Sequence, residues 1–304
     1  MRQSLEEASS VGTAPATLEE RLAASRFVIG VEVDPPKGLV VDRALEGARL
    51  LKEAGVDCVN VGDSPLAQTR MSALPMALLI QQQVGLEVIV HFTTRDRNLT
   101  ALQGDLLGAH ALGIRNILVI KGDMPKTGEA KGVWDTSVVG LIRLIQRFNE
   151  GVDSAGNPLG ARPSFFVGAV VNPAAEDLDA ELRRLERKVK AGARFALTQA
   201  VFDPQILERF LNRVQEMPIP ILAGIYPLFT YRQAEFLNRE ISGMVIPEAT
   251  RERLRQAGDG ARALGLKLAR ELIEQVKGRA AGIYLIPSFG HYEPIAELVA
   301  WARP

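Results

Sequence analysis

The chain has little cysteine, little histidine and no excess of charge. Each shortage narrows what it can be. Among 304 residues there is one cysteine, Cys58. A disulfide framework and a thiolate zinc site are therefore excluded. Cys58 lies in the apolar run 56–61 and reads as a small buried hydrophobe. The three histidines, His91, His110 and His291, stand at no metal-ligand spacing, so no metal is expected. Lys plus Arg and Asp plus Glu number 36 each, giving no net charge. Nothing in that balance points to nucleic acid or a membrane surface as partner. No stretch approaches the roughly 20 consecutive apolar residues of a membrane span, and residues 1–17 carry no apolar signal core. A cytoplasmic protein is expected, with residues 1–24 as a flexible lead and 25–304 as one folded domain. A Gly-x-Gly-x-x-Gly turn after the first apolar run is missing, which argues against a dinucleotide-binding open sheet. No Gly-x-Ser-x-Gly elbow is present either, which argues against a serine hydrolase.

What the chain does have is rhythm. Eight short apolar runs, at 27–33, 57–61, 86–92, 116–121, 164–171, 195–199, 220–225 and 282–286, alternate with longer amphipathic segments. The runs are nearly continuous in apolar residues. That is the pattern of parallel strands covered on both faces. Between them, Leu178, Leu182, Leu185 and Val189 recur at helical spacing, and so do Leu102, Leu106, Leu107 and His110. Three helices end in the same device, a glycine stop before the next strand, at Gly55, Gly113 and Gly192. Eight β-then-α units predict an α/β fold, a closed (β/α)8 barrel forming a single domain. The stretch 239–277 is long for one crossover and predicts an extra helix late in the chain.

Barrels of this kind carry their chemistry at the carboxyl ends of the strands. Polar residues collect there. Glu32 closes the first run, between Val31 and Val33 and just before two prolines. Such a carboxyl is desolvated, which raises its pKa and suits it to general acid work near neutral pH. The structural alternative is an ion pair with a barrel Arg or Lys. Lys121, Gly122 and Asp123 close the fourth run. Asp123 is either a turn cap or an anion set beside a developing cation, worth about 4 kcal/mol at 4 Å and an effective dielectric of 20. His91 and Thr93 end the third run, Asn172 the fifth, Gln199 the sixth and Tyr226 the seventh. Gln199 offers a donor and an acceptor for a heterocycle edge, or is a satisfied interior amide. Arg184 and Lys188, four apart on one helix, are either a phosphate-binding pair or a solvated stripe.

Taken in order, these signals resemble the methylenetetrahydrofolate reductase family from about residue 26 to 302. The motifs are Val31-Glu32-Val33-Asp34-Pro35-Pro36, Lys121-Gly122-Asp123-Met124-Pro125, Lys188-Val189-Lys190-Ala191-Gly192-Ala193 leading to Leu197-Thr198-Gln199, and Gly224-Ile225-Tyr226-Pro227. Segments 71–74, 91–98 and 108–115 look closest to the reductase half of bifunctional proteins that also carry a homocysteine methyltransferase. A proline-dehydrogenase-like flavin barrel would share the fold without the first-strand Glu-x-Asp-Pro-Pro and the Thr-Gln turn. One departure stands out. Many family members have Tyr-Pro-Glu-x-His-Pro-Glu after the fifth strand, whose Tyr and His touch the flavin. This chain reads Val171-Asn172-Pro173-Ala174-Ala175-Glu176.

The resemblance implies an oxidoreductase of one-carbon metabolism and methionine biosynthesis. Hydride passes from NAD(P)H through FAD to 5,10-methylenetetrahydrofolate, giving 5-methyltetrahydrofolate. It implies Glu32 as the acid and Asp123 as the charge stabiliser. Gln199 and Leu237 become folate contacts. His91, Thr93, Lys121, Asp123, Asn172, Arg184 and Lys188 become FAD contacts. A homo-oligomer is compatible with this. The departure after the fifth strand keeps two other readings open: a flavin-free reductase, and a folate-binding partner subunit of a larger redox complex.

Overall fold

The computed structural model describes residues 16–125, 130–241 and 243–303. Eight parallel strands close into a barrel in chain order. They are β1 (Val28–Val33), β2 (Cys58–Val61), β3 (Glu87–Thr93), β4 (Asn116–Ile120), β5 (Phe166–Val171), β6 (Phe195–Thr198), β7 (Ile221–Ile225) and β8 (Gly282–Leu285). β1 pairs with both β2 and β8, which closes the ring. The helices are α1 (Leu18–Ala23), α2 (Asp42–Glu53), α3 (Ala73–Gln83), α4 (Leu99–Ala111), α5 (Val138–Asn149), α6 (Leu178–Lys190), α7 (Pro204–Val214), α8 (Tyr231–Glu240), α9 (Glu248–Ala257), α10 (Ala261–Val276) and α11 (Glu293–Ala302). The (β/α)8 barrel expected from the periodicity is the fold. Three helices, α8 to α10, fill the long crossover between β7 and β8, where an extra helix was expected. No helix among the described residues is long and apolar enough to cross a membrane.

Strand alternation sorts the side chains into two cores. On β1, Val31 and Val33 point outward into the large cluster shared with the helices, while Val28 points into the lumen. Val59 and Val61 of β2 go outward and Cys58 inward; Val90 and Phe92 of β3 go outward and Ile89 inward. The remaining inward positions follow from the two-residue period: Glu32 on β1, Asn60 on β2 and His91 on β3.

The lower lumen is dry. Leu18, Leu22, Val28, Cys58, Ile89, Leu118, Phe166, Phe195, Leu197, Leu222 and Tyr284 form one buried cluster. Phe166 and Phe195 stack with ring centroids 5.0 Å apart. Gly168 leaves room for that pair, since a Cβ there would fall 2.4 Å from the Phe195 ring. Cys58 is fully buried here, and burial pushes its thiol pKa well up. It is the inert hydrophobe the sequence suggested.

The amino-terminal lead needs a correction. Its residues 1–15 lie outside the described part. Residues 18–23, assigned to the flexible lead, form α1 instead. Thr17 and Glu20 close a reciprocal capping box, each side chain accepting from the other residue's backbone N–H, which satisfies two otherwise orphaned donors. Leu18 is fully buried and Leu22 nearly so, both in the lumen cluster. The helix plugs the floor of the barrel. Its anchors are Glu87, which accepts from Leu18 N at 2.6 Å, and the Arg21–Asp57 pair at 3.0 Å.

Candidate active site

The upper lumen is polar, and its centre is Glu32. Its carboxyl stands near the end of β1, facing inward, in register with Asn60 of β2. Burial raises its pKa well above the usual carboxylate value. The neighbouring negative charge of Asp34 adds to the rise, and Arg70 opposes it. Among the described residues no Lys or Arg ion-pairs with Glu32. The nearby guanidinium, Arg70, is given to Asp34 at 3.3 Å and donates to the Pro35 carbonyl at 2.8 Å. Asp34 is itself raised by its burial, with Arg70 and Lys37 pulling it back. Two carboxyls in one poorly hydrated corner with one guanidinium favour keeping a proton.

Other polar groups face the same space. His91 is buried, and burial drops its pKa to about 4, so it is neutral near pH 7. Its ring meets Tyr284 edge-on, centroids 6.4 Å apart, and its Nε2 has no hydrogen-bond partner. Asn60 is fully buried, with neither its Nδ2 nor its Oδ1 bonded. At the end of β7, Tyr226 is raised by burial and bonded to Gln233 and Ser288, with Glu32 and Asp34 close enough to raise it further. Gln233 in turn donates to Ser288 Oγ at 2.7 Å.

The loops around the mouth are locked by an arginine network. Arg95 is 1% exposed, yet its guanidinium is well used. It donates to the carbonyls of Asp63, Ser64 and Asp123 and pairs with Asp96. Asp63 accepts from Thr93 N at 2.9 Å and Oγ1 at 3.0 Å, and also pairs with Arg97. Gly122 passes over this network with φ +83, and a Cβ there would lie 2.9 Å from Arg95 Cβ. Only glycine meets both demands.

The expected site residues divide into two groups. Glu32 and His91 face the upper lumen, while Thr93 is bound to Asp63. Asp123 is exposed at the mouth, where its Oδ2 accepts from Leu66 N at 2.8 Å. Lys121 is also exposed; its carbonyl accepts from Thr94 Oγ1 and Trp134 Nε1, both at 3.3 Å. Gln199 and Asn172 are half-buried at the ends of β6 and β5, and both lie beside Gly243. Asn172 Oδ1 accepts from Ala174 N at 3.0 Å.

The rest are placed otherwise. Arg184 is exposed and pairs with Glu181 at 2.9 Å. Lys188 does not stand beside it as a free cation. Its Nζ reaches back to the Val170 carbonyl at 2.6 Å, and burial lowers its pKa. Leu237 is 4% exposed and packs with Ala200, Phe202, Leu228, Ala234 and Leu254 under α8 and α9. Asn60, Asp34, Arg70 and Gln233 were not singled out from the sequence. The available signal for Asn60 was a lone amide inside the run Cys58-Val59-Asn60-Val61.

A family model described as methylenetetrahydrofolate reductase matches residues 17–287. A probable methylenetetrahydrofolate reductase (NADPH) of Caenorhabditis elegans is 28% identical over 244 residues, covering 76% of this chain and 35% of that protein. A 5,10-methylenetetrahydrofolate reductase of Salmonella typhimurium is 30% identical over 158 residues, covering 51% and 49% respectively. The chain thus spans a third to a half of the length of these relatives. Among solved structures, dihydropteroate synthases from Stenotrophomonas maltophilia and Xanthomonas albilineans superpose with TM-scores of 0.51 and 0.50 at 14% and 17% identity, each covering 90% of both chains. At that identity the likeness is one of fold. With nearly the whole barrel matched by one family, this chain belongs to the methylenetetrahydrofolate reductase family.

Proposed function

We propose that the chain reduces 5,10-methylenetetrahydrofolate to 5-methyltetrahydrofolate, with FAD as the hydride carrier and NAD(P)H as the source of electrons. The observation that carries this reading is the Glu32 carboxyl, half-buried in the upper lumen beside Asp34 and inclined to hold its proton. The motifs at 71–74, 91–98 and 108–115 support a place near the reductase halves of bifunctional proteins.

The methylene bridge accepts hydride poorly while its five-membered ring is closed. Glu32 gives its proton to N10 as the bond between N10 and the methylene carbon breaks. The electron pair of that bond goes to N10, and an N5 iminium cation remains. Hydride then adds to the exposed carbon and leaves N5 methylated. Asp123 at the mouth offsets the positive charge of the iminium. Gln199 holds the pterin edge by its amide. Once product leaves, Glu32 takes its proton back from the mouth.

FAD, when bound, supplies the hydride. The upper lumen suits a flat ring with a polar edge, because His91 Nε2 is buried and unpartnered there. His91, Thr93, Lys121, Asp123 and Asn172 are the residues that would hold it. For the diphosphate Arg184 would have to leave Glu181, and Lys188 is committed to a backbone carbonyl. That observation, with Asn172-Pro173-Ala174-Ala175-Glu176 where many family members have the Tyr-Pro-Glu-x-His-Pro-Glu segment, favours a second reading in which hydride comes directly from NADH.

Anaerobic spectroscopy separates the two. A yellow protein bleached by NADH and recoloured by methylenetetrahydrofolate supports the first. Colourless protein that couples NADH loss to folate reduction supports the second. With Glu32→Gln, folate reduction should fall by a hundredfold or more, the usual order for removing a general acid, with flavin reduction retained. A protein that reduces no folate with any donor would end the proposal.

A further inference from the structure

The Asp123 carboxyl is held by a different loop from its own. Its Oδ2 accepts from the backbone N–H of Leu66, 2.8 Å away, on the loop after β2. That N–H is presented by an uncommon turn of the chain. Ser64, Leu66 and Ala67 have φ of +50, +58 and +55, the left-handed region that residues with a side chain seldom enter. Three such residues among four, none of them glycine, store conformational strain. Strain of this kind collects where a loop has to present a group in one direction.

The turn is pinned from several sides. Within it, the Ser64 carbonyl accepts from Ala67 N at 3.0 Å and the Pro65 carbonyl from Gln68 N at 3.2 Å. Pro65 closes on Gly62, where a Cβ would fall 2.9 Å from the proline Cγ. From the loop after β3, Arg95 donates to the Asp63 carbonyl at 3.5 Å and to the Ser64 carbonyl at 3.2 Å. The same guanidinium donates to the Asp123 carbonyl at 3.3 Å. Arg95 is 1% exposed and paired with Asp96, which fixes its plane. One buried cation therefore ties the backbone of the turn to the backbone of Asp123. The turn then reaches across to the Asp123 carboxyl, which is exposed and has two side-chain torsions to settle.

We propose that Leu66 and Arg95 are positioning residues for Asp123. The Leu66 N–H fixes the direction of the carboxyl, and Arg95 fixes the strained turn that presents this N–H. A backbone donor on a pinned turn has no side-chain torsion of its own, so it aims the carboxylate more narrowly than a lysine or arginine would. A negative charge already aimed at a developing cation stabilises it without having to reorganise. The use of this device in turnover rests on the role given to Asp123 above. The contact itself, and its dependence on Arg95, do not.

The test removes the donor and the tie separately. The α-hydroxy analogue of leucine, incorporated at position 66, turns the amide into an ester and deletes the N–H while keeping the side chain. Arg95→Met frees the turn. The first measurement is hydrogen exchange at the Leu66 amide, read by NMR with isotope-labelled leucine. Exchange should quicken about tenfold in Asp123→Ala, which lacks the acceptor, and in Arg95→Met, which has a loose turn. The second is folate reduction. In the ester variant kcat should fall about fivefold with KM within about twofold, since the loss is felt as the cation develops. In an Asp123→Ala background the ester should change neither, because the group it aims has gone. Arg95→Met should show the same dependence on Asp123. An equal fall in kcat with and without Asp123 would overturn the proposal, and so would parental exchange at Leu66 in both Asp123→Ala and Arg95→Met. If Arg95→Met does not fold, Arg95→Lys, which keeps the charge and loses the planar fork, takes its place. The ester lies on an exposed loop, and a folded ester variant with parental kcat refutes the role of Leu66 by itself. A parent that reduces no folate would sink the functional reading, while the exchange rates still decide the contact.

Discussion

Replacing Glu32 by Gln should make the protein relatively more stable as pH rises, and by a calculable slope. In the folded state burial and Asp34 hold the carboxyl well above its ordinary value of 4.5, with Arg70 opposing. In the unfolded chain it titrates near its ordinary value. Between those two values the native state carries one proton more than the unfolded state. Stability then falls as pH rises, by about 1.4 kcal/mol per unit. Below 4.5 both states are protonated and the slope vanishes. Glutamine removes this term. For a domain of this size about 1 kcal/mol moves the melting temperature by roughly 2 °C. The melting temperature of Glu32→Gln minus that of the parent should therefore widen by about 3 °C per unit above pH 4.5 until the native carboxyl ionises. The assay is thermal unfolding of both proteins from pH 4 to pH 8, with urea midpoints as a reversible check. The constant offset between the curves carries the packing difference; the slope carries the proton. Parallel curves, or a gap that closes with rising pH, would refute a proton held on Glu32.

Two further outcomes test the frame of the mouth. Gly122→Ala should destabilise by about 1–3 kcal/mol, because φ +83 and a 2.9 Å approach to Arg95 Cβ both resist a side chain; urea unfolding reads this, and folate reduction should slow as Asp123 is displaced. Lys188→Met should cost about 1–3 kcal/mol by leaving the Val170 carbonyl unbonded, while isothermal titration shows FAD affinity within a fewfold of the parent. A hundredfold loss of FAD with parental stability would return Lys188 to the diphosphate.

The barrel was legible because its signal is local. A strand covered on both faces must be apolar at nearly every position, and a helix outside it must be apolar on one stripe. Gly55, Gly113 and Gly192, the three glycine stops, all adopt positive φ in the structure, as a left-handed helix end requires. α1 was missed although its signal was present: Thr17 followed three residues later by Glu20 is a capping box. Polar residues at strand ends were legible for the same local reason, and Glu32 was found that way. What could not be read was register. Asn60 stands opposite Glu32 only because β1 and β2 pair at one particular offset, and nothing in either strand alone specifies it. Long side chains hide a second kind of information. Lys188 sits where a phosphate ligand could, but its four-carbon stem lets the ammonium fold back to a carbonyl, and spacing cannot tell these apart.

The division of the lumen into a dry floor and a polar mouth also constrains the chemistry. Leu18, Leu22, Val28, Phe166, Phe195 and Leu222 close the lower end without a polar atom among their side chains. A proton cannot be passed through such a layer. On the function proposed above, the proton that Glu32 gives up is replaced from above, past Asp34 and Arg70, by a route that a bound substrate would cover. Reprotonation then has to wait for product to leave, which separates the two halves of a turnover without any moving part. The same dry floor closes off the carboxyl from behind, so the apolar plug that α1 completes adds to the burial that, with Asp34, raises its proton affinity.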